Sequence, residues 1–268
     1  MAQKSNFTFR PWRGLVVPQL LLLCACLAIW QIGADTFGTA FWTSSPSAVF
    51  EALMTWYRSG LLWSDVRLTL AAAFLGFFLG SIAGGLAGFI LGWVRWLGDL
   101  LEPFILAYYT LPKIALAPLF VLWFGIGLLN KVMFSAMLVS FMVFITTYQG
   151  VRQVDRDLVT NARLLGASRP QIWTKIAIPF SAVWIFTGLR IGLPYALIGA
   201  IVGEFVASSA GVGYRIKEAT SFFDTAAVFA GLVVLMAISA TLLTILKISE
   251  RRVLRWQNAG PQQPAPAE

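Results

Sequence analysis

The sequence contains no histidine, and only 12% of its 268 residues are charged, against about 25% in an ordinary soluble domain. Imidazole acid–base chemistry and His-ligated metal sites are therefore excluded. Cysteine is almost absent too. Cys24 and Cys26 lie together in the first apolar run with no second ligand pair, so they are expected to pack as buried small apolar groups. No Gly-x4-Gly-Lys-Ser/Thr phosphate loop occurs, and no lysine follows a glycine anywhere. If ATP drives this protein, another subunit must bind it. Acids are nearly missing from the apolar runs, which counts against a proton-coupled secondary transporter or channel working alone. No catalytic residue and no metal ligand set is expected.

What remains is apolar. The hydrophobic share is 58% and the mean hydropathy is +0.76, values of a chain built for a bilayer. Six runs approach the roughly 20 residues that a spanning helix needs. They lie between Arg13 and Asp35, Leu68 and Trp93, Pro103 and Trp123, Val132 and Gly150, Ile176 and Ile201, and Thr225 and Leu246. The third contains Pro112 and Pro118, the fifth Pro194. No small-x-small cleavage site stands before Asp35, so the first run is read as a membrane helix over 14–34 rather than a signal peptide.

Lysine and arginine set the orientation. With the N-terminal residues 1–13 in the cytoplasm, thirteen basic residues fall inside and five outside, the latter being Arg58, Arg67, Lys131, Arg215 and Lys217. Both termini and the loop 151–175 are then cytoplasmic. Trp30, Trp42, Trp63 and Trp123 fall near the outer interface, and Trp12, Trp93, Trp96, Trp173 and Trp256 near the inner one, as an aromatic belt requires. A periplasmic segment, 35–65, carries an amphipathic helix started by Ser45 or Ser47 beside Pro46. The stretch 251–268 is a cytoplasmic tail, Pro- and Gln-rich with little to bury, and reads as disordered.

Glycine is used with regularity in the second run. Gly76, Gly80, Gly84, Gly88 and Gly92 recur every fourth residue. On a helix they form one smooth stripe that lets a second helix approach closely.

The segment from Val151 to Pro179 is the other local pattern. Asp155 or Asp157 can cap a first helix with Leu158, Ala162 and Leu165 on one face. Gly166 can end it in a left-handed conformation. Ser168 can cap a second helix, with Gln171 completing a capping box and Pro170 tolerated in the first turn. The product is a helix–glycine–helix knuckle with an apolar ridge. On a cytoplasmic loop it suits a groove on another protein, or failing that a lipid surface.

The spacing Ala162–Gly166–Ile176–Pro179 resembles the EAA coupling loop of ABC importer permeases. Thr160 stands where that pattern has Glu, Asn161 where it has the first Ala, and Ile178 where it has Leu. PSAVFEAL, LPKIALAPLFVLWFGIG (111–127), VDRDLVTNARLLGAS, GLRIG and GEFVASSAGVGYRI (203–216) are similar to the nitrate/sulfonate/taurine branch. The resemblance covers nearly the whole chain. It implies an all-α type I ABC importer fold with a transmembrane core over 66–250, in a bacterial inner membrane. It also implies a permease homodimer, a cytoplasmic ATPase dimer that binds ATP and Mg, and a periplasmic or lipid-anchored solute-binding protein. No nucleic acid is involved. The ATPase would dock on Thr160, Asn161, Ala162, Arg163, Leu165, Gly166, Ala167, Ser168, Ile176 and Pro179.

Three charges are candidates for the translocation path. Lys113 and Arg190 stand midway along the third and fifth runs, where charge is expensive and usually functional. Facing a path they would favour an anion such as a sulfonate, nitrate or carboxylate; otherwise they bond helix ends freed by the prolines. Glu204, near the outer end of the fifth run, can cap the next loop, gate the outer mouth or pair with a base.

Overall fold

The computed structural model describes residues 16–36 and 40–253. The expected N-terminal segment 1–13 and the tail beyond 253 lie outside the described residues. Described residues form helices joined by short turns: α1 (Val16–Thr36), α2 (Ala40–Thr43), α3 (Pro46–Arg58), α4 (Leu61–Trp93), α5 (Arg95–Thr110), α6 (Ala117–Phe124), α7 (Leu128–Arg152), α8 (Arg156–Leu164), α9 (Arg169–Ile172), α10 (Ile178–Val206), α11 (Val212–Ser221) and α12 (Thr225–Val253). Five are long and apolar enough to cross a membrane, and α5 with the Lys113–Phe124 segment is apolar enough as a bent pair, the form of a broken span or a re-entrant loop.

The core is three helices with α7 in the middle. α4 packs along one side of it and α10 along the other. The glycine stripe is why α4 fits. A Cβ added at Gly84 would stand 2.1 Å from the Ser140 carbonyl oxygen, and one at Gly80 2.4 Å from that of Ala136. At Gly76, Gly88 and Gly92 the nearest α7 atoms would stand 2.3, 2.6 and 2.8 Å away. α10 has its own set: Cβ atoms at Gly188 and Gly199 would stand 2.2 Å from Thr146 Oγ1 and 2.5 Å from Ser135 Cα. Val139 and Val143 fill the centre with Ala72, Ala73, Ala196 and Ala200. Backbones this close gain dispersion contacts that lipid cannot replace.

The third run, with its two prolines, is sharply bent. α5 and the Lys113–Phe124 segment meet at 82°. Pro112 is the cause: it drives Leu111 to φ −67°, ψ 128°, outside the helical region, because its ring crowds the preceding residue. Lys113–Leu116 then makes one 3-10 turn, and Pro118 sits harmlessly in the first turn of α6. Hydropathy sees only that both arms are apolar.

Other boundaries shift modestly. Ser45 caps α3, its Oγ accepting from the Ala48 N–H at 3.3 Å, with Pro46 as the first helical residue. α3 ends at Arg58, so residues 61–65 belong to α4 rather than to a separate outer segment. At 33 residues, α4 is about 50 Å long and its first turns must stand above the hydrocarbon. Cys24 and Cys26 are exposed rather than packed. The reason is that α1 touches the rest of the chain mainly near its C-terminal end, where Trp30 meets Phe229 and Gln31 accepts from the Ser47 N–H.

Candidate functional site: a knuckle and a buried polar hub at opposite ends of one helix

The knuckle forms as its local chemistry dictates. Asp155 caps α8, its carboxylate accepting from the Asp157 N–H at 2.8 Å. Gly166 adopts φ +86°. Its N–H donates to the Arg163 carbonyl and that of Ala167 to the Ala162 carbonyl, both at 2.9 Å. This is the paired bonding of a Schellman stop. The Gln171 carbonyl oxygen accepts from the Ser168 N–H at 2.7 Å. A π-type turn over Trp173–Ala177 runs on into α10, so Ile176 and Pro179 sit at its junction with the knuckle.

The base of the knuckle is fixed and its tip is bare. Val154, Ile172 and Ala177 are buried. Trp173 packs edge-on against Phe89 and Trp93 at 5.5 and 5.4 Å, tying the base to the end of α4. Arg152, the last residue of α7, pairs with Asp99 and bonds the Tyr148 hydroxyl. By contrast Leu164 and Leu165 are 81% and 89% exposed. Thr160, Asn161, Arg163 and Ser168 are exposed beside them, and Ala162 and Ala167 are half-buried. A firmly held base with two uncovered leucines is a plug without its socket.

At the far end of α10 lies a polar hub that the sequence pattern did not announce. Glu204 is wholly buried. Thr69 Oγ1 donates to its carboxylate, at 2.9 and 3.1 Å from the two oxygens, and the Gly213 N–H donates at 2.8 Å. Lys131 Nζ stands 3.8 Å away and also bonds Ser208 Oγ at 2.7 Å. Asp65, equally buried, accepts from the Gly211 N–H and Arg215 Nε, both at 2.8 Å, and from Trp56 Nε1 at 3.2 Å. The Val212 N–H donates to Thr69 Oγ1 at 2.9 Å.

Three consecutive N–H groups opening α11 are thus taken by side chains of α4 and α10. Those donors have no partner within their own helix. Burial works against the Arg215 charge, but its bonds to Asp65 and Glu218 outweigh this and raise its pKa above the ordinary arginine value. Lys131 and Arg215, counted above among the outer basic residues, are buried and partly buried members of the hub. The legible signal was Asp65 four residues before Thr69 at the head of an apolar helix, where an unpaired carboxylate would be untenable.

The three path candidates are all partnered. Glu204 both caps the α11 loop and pairs with a base. Arg190 pairs with Glu250 of α12. Lys113 curls back over the break, its ammonium donating to the Tyr108 and Tyr109 carbonyls at 3.0 and 3.2 Å. It also lies 4.0 Å from the Phe141 ring centre. Those carbonyls end α5, where a cation meets both orphan acceptors and the negative pole of the helix. These bonds leave one of its three protons.

Comparison with known proteins places this geometry. Residues 76–255 match the family described as "Binding-protein-dependent transport system inner membrane component". The chain is 40% identical over 247 residues to the riboflavin transport system permease protein RibX of Chloroflexus aurantiacus, covering 92% of this chain and 91% of that one. It is 33% identical to the putative aliphatic sulfonates transport permease protein SsuC of Bacillus subtilis, covering 92% and 88%. It is 28% identical to the taurine transport system permease protein TauC of Escherichia coli, covering 91% and 93%. Among solved structures, the inward-facing MetNI methionine ABC transporter aligns with a TM-score of 0.61 at 20% identity, over 73% of this chain and 95% of that one. That likeness establishes the type I importer fold. The chain belongs to the family of binding-protein-dependent inner membrane transport components, as a multi-pass permease subunit of an ABC importer.

Proposed function

We propose that this permease works as a homodimer whose two knuckles dock on a cytoplasmic ATPase dimer. The carrying observation is the bare Leu164–Leu165 tip on a capped, packed base. ATP and Mg bind to the ATPase, and this chain binds neither. Both termini face the cytoplasm, and a periplasmic or lipid-anchored binding protein delivers solute to the hub end. α10 spans the distance between: 29 residues make about 43 Å of helix. Knuckle and hub grip its two ends, so closure of the ATPase tilts α10 with α7 as one body and exchanges the side to which the path opens.

The solute we infer is a small organic molecule carrying oxygen acceptors, with a flat heteroaromatic compound such as riboflavin favoured by the 40% relative. A sulfonate is the second reading, favoured by the 33% relative. With Arg190 neutralised by Glu250, Lys113 alone argues for an anion. Uptake by cells expressing the whole importer separates the two. Riboflavin accumulation that excess taurine leaves unchanged supports the first reading; taurine accumulation without riboflavin uptake supports the second.

A further inference from the structure

Halfway along the core, α4, α5 and α7 line an open cleft of about 440 Å³. Gly84 and Ser140 form its floor, and the rings of Phe104, Tyr108, Phe141 and Phe144 form its walls. Ser140 spends its hydroxyl proton on the Met137 carbonyl at 2.9 Å, so the floor is nearly apolar. Tyr108 and Phe141 meet edge to face at 5.1 Å. These same two rings flank the Lys113 ammonium, at 4.9 and 4.0 Å from their centres.

An aromatic slot one ring away from a single cation has the composition of a ligand pocket: broad apolar walls and one orienting charge. Its place strengthens this. The slot adjoins the break in the bent span, and broken helices near the bilayer midplane are where membrane transporters build solute sites. An ion held at that depth is functional by default. The cap on α5 uses two Lys113 protons, and the third is available to an acceptor.

We propose that this cleft is a solute subsite within the permease itself, taking a planar heteroaromatic ring that carries carbonyl or anionic oxygens. The ring lies between Phe104, Tyr108, Phe141 and Phe144, and an oxygen at its edge accepts from Lys113. This rests on the riboflavin-like reading of the solute and names where the permease holds it. Gly84 is essential to the floor, because any side chain there would collide with α7.

The test uses the permease–ATPase complex in phosphatidylcholine nanodiscs without binding protein, titrated with riboflavin and read by quenching of flavin fluorescence. One saturable site per permease chain is expected. Phe141→Leu and Tyr108→Leu should each weaken it about tenfold, the scale of one lost ring contact. Lys113→Met should do the same, while Lys113→Arg retains most of the affinity. Tyr108→Leu leaves the backbone cap of α5 intact, so it reports on the slot alone.

Riboflavin uptake into proteoliposomes with binding protein runs in parallel. Uptake with no saturable quenching, or quenching indifferent to all three ring and lysine losses, overturns the subsite alone. The former is the outcome if a lipid chain or a helix of the second copy fills the cleft. Binding without uptake would sink the solute reading, and with it the cleft's role as a solute subsite. Absence of both overturns both.

Discussion

Removing the Glu204 carboxylate should loosen the hub more than any other single side-chain truncation there. In Glu204→Ala the Lys131 ammonium keeps its burial but loses its counter-ion. The Thr69 hydroxyl and the Gly213 N–H lose their acceptor. Breaking a buried pair by deleting one partner costs about 3–5 kcal/mol. For a chain of this length each kcal/mol shifts the melting midpoint by about 2–4 °C, giving a fall of about 10 °C. Lys131→Met should cost less, since Glu204 keeps its bonds from the Thr69 hydroxyl and the Gly213 N–H. The double variant Lys131→Met/Glu204→Ala removes both charges together, and should recover about 1–3 kcal/mol relative to the sum of the singles. Thermal unfolding of the four proteins in one detergent measures the cycle. An Ala variant melting within 2 °C of the parent, or strictly additive singles, would refute the hub as a coupled unit.

Two further substitutions probe the helix interface and the knuckle. Gly84→Val places a branched side chain where a single Cβ already stands 2.1 Å from the Ser140 carbonyl oxygen; α4 should separate from α7, with loss of folded protein by size-exclusion of detergent extracts, whereas the neighbouring Gly85→Ala, whose Cβ meets only Val143 at 3.8 Å, should fold normally. Gly166→Val forces a β-branched residue to φ +86°, about 1–2 kcal/mol against it, and should break the turn; solute-stimulated ATPase activity should fall at least fivefold while membrane insertion is unchanged by fractionation.

What could be read in advance follows the range of the interactions. The knuckle was legible because its caps and stop act over two to five residues, so Asp155, Gly166 and Gln171 identify themselves. The stripe from Gly76 to Gly92 was legible because one small residue per turn has no use on a lone helix. The hub was not. Asp65, Lys131 and the pair Glu204 and Gly211 come from three separate stretches, and nothing in the sequence ties 65 to 211 or 131 to 204. The partner of Arg190 was not legible for the same reason, since Glu250 lies 60 residues on. Gly188, Gly192, Gly199 and Gly203 face α7 at steps of four, seven and four, too uneven to stand out. The bend after Thr110 was masked because both arms are equally apolar.

The central claim is that the bare tip of the knuckle drives transport by holding an ATPase. Leu164→Asp/Leu165→Asp tests it most directly, because both side chains are exposed and their change leaves the core alone. Each leucine buried on docking contributes about 1.5–3 kcal/mol, so the double change should weaken the complex at least 100-fold. The measurement is the amount of the importer's ATPase subunit that co-purifies with tagged permease. The account predicts its loss, with permease yield and helix content at parental levels. Full retention of the ATPase by the doubly charged tip would contradict it.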